Sequence, residues 1–133
     1  MAEKIQFELV SPAKLLVSSA VDMVVVPGTE GDFGALPRHS PVISTVRPGV
    51  IDIHDAGKIS DRIFVAGGFA EVNEERITVL AEEAIPVAEL TAALAEERLK
   101  AAKEAVADAR TEAEKAAAEQ KVAIAMAMQA AAA

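Results

Sequence analysis

Apolar and polar residues alternate one by one through the first two thirds of the chain. Ile5, Phe7 and Leu9 are separated by Gln6 and Glu8, the period of a strand with one dry face. Ser11-Pro12 turns the chain, and Lys14 to Ser18 is read as a returning strand. Ala20 to Val26, with three consecutive valines, is the next strand, and Pro27-Gly28 is expected to stop it. Ile51 and Ile53 alternate with Asp52 and His54 before a turn at Asp55-Ala56-Gly57. Ile63 to Ala66 forms an apolar run broken at Gly67-Gly68, and Phe69 to Val72 resumes it. After Asn73-Glu74-Glu75, Arg76 to Leu80 puts Ile77 and Val79 on one face. The pattern predicts about nine or ten short strands separated by Gly, Pro, Asn or Asp, hence an antiparallel β-sandwich or barrel over residues 1–87. Two facing sheets let both apolar faces share one core.

The pattern changes after Pro86. Residues 88–133 contain no Gly or Pro, and alanine supplies 20 of the 46 positions, so helix propensity is near its maximum. Pro86 is expected in the first helical turn. Leu90, Leu94, Ala101 or Ala102, Ala105 and Ala109 form one apolar stripe, with Leu99 and Val106 beside it. Thr111-Glu112-Ala113-Glu114 fits the S/T-x-x-E capping box. A break near Asp108 to Thr111 therefore predicts an antiparallel two-helix hairpin over 88–133.

Between the strands lies PGTEGDFGALPRHSPVISTVRPGV, residues 27–50, with four of the seven glycines and four of the six prolines. Its first half, PGTEGDFGALP, reads as tight turns interrupted by Phe33, Ala35 and Leu36. A backbone punctuated so densely is aimed, and aimed loops on a rigid scaffold are where partner surfaces are built.

Composition narrows the chemistry. The formal charge is −8 and the pI about 4.7, which disfavours nucleic acid and bare anionic lipid as partners. Aromatics make up 3% with no Trp or Tyr, too few for base stacking. Absence of cysteine removes disulfides, thiolate nucleophiles and Cys-ligated zinc. The start lacks the basic-then-apolar order of a signal peptide, and no apolar run reaches the roughly 18–20 residues of a spanning helix. His39 and His54 are read as loop or surface residues, and Ser40 beside His39 lacks a G-x-S-x-G elbow. Gly28-x-x-Gly31-x-x-Gly34 lacks the G-K-[ST] ending of a phosphate loop, so its glycines are read as turn residues. No catalytic, metal or cofactor site is expected.

The segment 27–50, followed by FVAGGFAEV and ITVLAEEAI, resembles the epsilon subunit of the F-type ATP synthase. The resemblance is close over residues 5–87; the C-terminal part matches in length and alanine content. It implies a sandwich of two five-stranded sheets and a helical hairpin. It also implies a non-catalytic rotor subunit of the central stalk that couples rotation of the c-subunit ring to ATP synthesis in the catalytic head. The implied partners are the gamma subunit and the c ring, with the beta subunit a further candidate through the hairpin. The implied location is peripheral, on the cytoplasmic face of a bacterial inner membrane. The absence of an Arg-rich, acid-poor leader argues against an imported mitochondrial form.

Carried over by position, the resemblance implies a c-ring contact at Glu30, Gly31, Asp32 and Phe33, with His39 nearby. It implies a gamma contact near Val42, Ile43, Val46, Gly67, Gly68 and Phe69. There are departures. Arg38-His39 stands where many relatives have Gly-His. The I/L-D-x-x-R-A motif of ATP-binding relatives aligns with Leu90-Thr91-Ala92-Ala93-Leu94-Ala95, so Thr91 replaces the Asp and Leu94 the Arg, while Leu90 and Ala95 match. Weak or absent nucleotide binding follows. Residues 88–133 carry six Lys/Arg against eight Asp/Glu, and the last 12 residues carry no charge, so ATPase inhibition through basic hairpin residues is expected to be weak or absent. The alternatives are an adaptor of another membrane-associated assembly and a small hydrolase built on His39 and Ser40.

Overall fold

Among the described residues ten strands form, several of them on single-residue alternation. The computed structural model describes residues 3–132. The strands are β1 (Ile5–Val10), β2 (Leu15–Val21), β3 (Met23–Gly28), β4 (Gly31–Ala35), β5 (Val42–Val46), β6 (Gly49–Asp55), β7 (Lys58–Val65), β8 (Gly68–Val72), β9 (Arg76–Ala81) and β10 (Ala84–Pro86). The hydrogen-bonded order is β10-β7-β6-β3-β5-β8-β9-β1-β2, with β4 on β3. The path bends into two layers where β3 meets β5 through one residue pair, Gly28 opposite Val46. One layer holds β10, β7, β6, β3 and β4; the other holds β5, β8, β9, β1 and β2. Among the described residues all ladders are antiparallel except β1–β9, which is parallel.

The core is the sum of the inward positions. Ile5, Phe7 and Leu9 of β1, Ile51 and Ile53 of β6, Ala70 and Val72 of β8, and Ile77 and Val79 of β9 all belong to one buried cluster. Each large member contributes roughly 1.5–3 kcal/mol if fully buried. Gln6 and Glu8 point the other way, where Glu8 pairs with Arg76 at 3.3 Å. At one end of the sandwich Lys4 donates to Asp55 at 2.6 Å. This hydrogen bond holds the Asp55 carboxyl below its ordinary value and raises the Lys4 ammonium above its own.

Several boundaries differ from the sequence expectation. The second and third strands are divided at Asp22, which is itself an anchor. Its carboxylate accepts from the Ala56 N–H at 2.8 Å and its N–H donates to the His54 carbonyl at 3.0 Å. Pro27-Gly28 does not stop β3. PGTEGDFGALP is a hairpin of β3 and β4 around a turn at Thr29-Glu30, not a series of turns. β10 was not foreseen: it is a three-residue edge strand on β7, short enough to tolerate Pro86 at its end. Pro86 therefore closes the sheet and does not open a helix.

Gly68 explains the Gly67-Gly68 pair. Its φ is +145°, and a Cβ there would lie 1.9 Å from the Leu80 carbonyl oxygen. Gly67, at φ +122°, is buried beside it. The pair lets β8 approach β9 closely.

The second compact unit begins at Val87. A 3₁₀ turn, Val87–Glu89, precedes α1 (Ala92–Asp108) and α2 (Glu112–Ala132). Thr91 is the N-cap of α1, its hydroxyl accepting from the Leu94 N–H at 3.1 Å, so the helix starts later than Ala88. The expected break is present. Thr111 Oγ1 accepts from the Glu114 N–H at 3.0 Å, and the Glu114 carboxylate accepts from the Arg110 N–H at 2.8 Å. The reciprocal bond of the capping box thus lands one residue before the cap. Gln129 of α2 lines the same depression as Glu96 and Leu99 of α1, so the helices run antiparallel. Their buried residues include Ala95 and Ala102 on α1 and Ala118, Ala125 and Met128 on α2. Alanine at a helix contact favours the short end of the roughly 8–10 Å range of axial separations. Among the described residues, no helix is long and apolar enough to cross a membrane.

Gly68→Ala is expected to destabilise the chain by about 2–4 kcal/mol, since it adds both left-handed backbone strain and a backbone clash. Chemical denaturation measures it; a change below about 0.5 kcal/mol would contradict the close approach.

Candidate functional site

The β3–β4 hairpin carries four of the five residues expected to meet the c ring. Glu30 lies in its turn and Gly31, Asp32 and Phe33 begin β4. His39 arrives from the segment before β5. The structure brings all five together around an open depression of about 360 Å³, completed by Val42 and Ser44 of β5. Phe33 is half-buried against the core, and its ring would touch a Cβ at Gly28 at 3.2 Å, so glycine makes room for it. Asp32 is not a free carboxylate: Arg47 Nη2 donates to it at 2.6 Å. Glu30 is exposed at the turn.

His39 is held by its neighbours. Its N–H donates to the Leu36 carbonyl at 3.1 Å, and its ring Nδ1 lies 2.6 Å from the Ser40 carbonyl oxygen. A carbonyl only accepts, so Nδ1 is the donor. The ring contacts the Ser40 carbonyl, not its hydroxyl, and the pair is not arranged as base and nucleophile. Arg38 adopts φ +67°, a left-handed conformation that glycine takes at least cost. Its N–H donates to the Glu74 carbonyl at 2.7 Å, and its guanidinium reaches Glu3. Among the described residues, no group of three or more His, Cys, Asp or Glu could hold a metal ion.

The residues assigned to gamma divide in two. Ile43 and Phe69 are 75% and 58% exposed on the outer face, whereas Val42, also exposed, lies on the opposite face of β5 and lines the tip depression. Val46 is 3% exposed because it faces the core, and Gly67 is buried at the β7–β8 turn. Neither of these two offers a side chain to a partner; Gly68 is taken up by its approach to Leu80.

Register adds what the sequence reading missed. Leu15 pairs with Val10, Val10 with Leu80, Leu80 with Phe69, and Phe69 with Thr45. One row therefore crosses β2, β1, β9, β8 and β5 on the outer face, and Leu15 and Leu80 on it are 56% and 54% exposed. The signal was available: Val10 and Leu80 are apolar residues at outward positions, directly after Leu9 and Val79.

The degenerate nucleotide motif is absorbed by helix structure. Leu90 is buried, Thr91 caps α1, Leu94 is half-buried and Ala95 is fully buried. Thr91 and Leu94 place neither a carboxylate nor a guanidinium there.

Comparison with known proteins gives a consistent result. Residues 4–87 match the family model "ATP synthase, Delta/Epsilon chain, beta-sandwich domain". The ATP synthase epsilon chain of Paramagnetospirillum magneticum is 75% identical over 131 residues, covering 98% of each chain. That of Rhodospirillum rubrum is 60% identical over 131 residues, again covering 98% of each. The fold recurs in a chain of the cryo-EM structure of Euglena gracilis mitochondrial ATP synthase, OSCP/F1/c-ring in rotational state 1. There the TM-score is 0.80 at 24% identity, covering 98% of this chain and 82% of that one. It recurs again in the central stalk/c-ring structure of Tetrahymena thermophila mitochondrial ATP synthase, with a TM-score of 0.74 at 15% identity and 98% of each chain covered. A sandwich with this hairpin tip and outer face, and identity of this extent along the whole chain, make it a member of the ATP synthase epsilon-chain family.

Proposed function

We propose that this chain is a non-catalytic rotor subunit of a proton-translocating F-type ATP synthase. In this reading it binds the gamma subunit of the central stalk and rests on the c ring. It then passes ring rotation to the catalytic head as torque. It sits peripherally, on the cytoplasmic face of a bacterial inner membrane. The observation that carries the reading is the gathering of Glu30, Gly31, Asp32, Phe33 and His39 at one exposed end of a sandwich. An acidic tip suits polar, basic loops and sets orientation and encounter more than affinity. The apolar row through Phe69 and Leu80 is the surface for gamma, since exposed aromatic and aliphatic anchors supply most of an interface's energy.

The chain is expected to co-purify with the gamma subunit. Phe69→Asp combined with Leu80→Asp weakens that binding by about 100-fold or more, each anchor being worth roughly 1.5–3 kcal/mol. Wild-type affinity in the double variant, measured by titration calorimetry, would remove this face from the interface.

The hairpin plays a lesser part in this reading. Thr91 is spent on capping and Leu94 supplies no charge, so ATP titrated to millimolar concentration gives no saturable heat; a saturable isotherm refutes this. The net negative charge of residues 88–133 disfavours a grip on an acidic segment of the beta subunit. ATP hydrolysis by the assembled complex accordingly stays near its normal rate when the hairpin is deleted. A large rise would restore an inhibitory role.

A further inference from the structure

The β3–β4 tip is weakly tied by its strands alone. Among the described residues, β4 has β3 as its only ladder partner. The other edge of β3 pairs with β6 as far as Val25 and with β5 only at Gly28. Two further backbone bonds help: the Thr29 N–H donates to Thr45 at 3.0 Å, and the Arg47 N–H donates to Pro27 at 2.8 Å. The remaining tie is a side chain. Arg47 Nη1 donates to the Gly28 carbonyl at 2.6 Å, while Nη2 donates to the Asp32 carboxylate at 2.6 Å. Arg47 itself lies in the short connection between β5 and β6, where the chain passes from one layer to the other.

We propose that Arg47 is the positioning residue of the tip: its guanidinium bridges both strands of the hairpin to the corner between the layers and fixes the direction in which the tip meets its partner. This rests on the reading that the tip bears on the c ring. The partly exposed ion pair contributes little energy by itself. Its value is geometric. A planar fork holds two acceptors at once in a fixed relation, which a lysine ammonium on a flexible stem does not reproduce. Asp32 is thereby turned into part of the brace, and Glu30 is left as the outward acid of the turn.

The test uses the full chain with Arg47→Gln, Arg47→Lys and Asp32→Asn. Hydrogen exchange of the amides from 28 to 35 is expected to speed up by roughly fivefold or more in both Arg47 variants, with β1, β8 and β9 unchanged. Asp32→Asn, which keeps the bond to Gly28, gives a smaller local effect. In the assembled synthase, Arg47→Gln lowers protons pumped per ATP hydrolysed at unchanged content of this subunit. Unchanged exchange at 28–35 overturns the proposal, and so does a uniform loss of protection in every strand, which marks a general stability role. Full rescue by lysine also overturns it, because charge alone would then suffice. Local loosening with normal pumping upholds the brace and counts instead against the tip bearing on the ring.

Discussion

The orientation of the acidic tip depends on the corner where β3 exchanges one neighbour for another. Up to Val25 the strand is paired with β6; at Gly28 it is paired with Val46 of β5. A strand shared in this way links the two layers, and the common core keeps them in register. That core is built by strict inward alternation on β1, β6, β8 and β9. A slip of one residue in any of them would turn its apolar set outward and lose several buried side chains at once. The tip is therefore carried by the core beneath it through a corner with few hydrogen bonds of its own and one arginine spanning it.

The two exposed surfaces differ in chemistry and in place. The tip is acidic and concave, with Glu30, Asp32 and His39 set around Phe33 and Val42. The outer face of the β5-β8-β9-β1-β2 layer carries an apolar row, bordered by a mixed one that runs through Ile43, Glu71, Thr78 and Glu8. A row of exposed large apolar side chains across successive strands is costly to leave in water and is the usual mark of a docking surface. Under the proposed function, a charged contact that sets direction and an apolar contact that sets strength are a sensible division for a subunit joining two moving parts.

Much of this was legible in the sequence because burial leaves a period. Ile5, Phe7 and Leu9, like Ile77 and Val79, announced their strands and their dry faces. The helical unit was equally plain from alanine content, and Thr111 with Glu114 marked the break between its helices. What the sequence hid was how glycine is used. The glycines of 27–50 suggested turns, yet Gly28, Gly31 and Gly34 lie in paired strands. Gly67 and Gly68 suggested a surface, yet Gly68 is set by backbone proximity to Leu80. Neither use has a periodic signature. The short edge strand β10 was hidden for a related reason, since three residues ending in proline carry no alternation. The exposed row through Leu80 and Val10 needed cross-strand register, which no single strand contains.

The central claim is that the tip and the outer face meet different partners. A photo-activated cross-linking residue placed at Glu30, and separately at Phe69, in the membrane-assembled synthase tests it most directly. The account predicts adducts from position 30 with the c subunit and from position 69 with gamma. Adducts from both positions with the same subunit, or from position 30 with gamma alone, would contradict it.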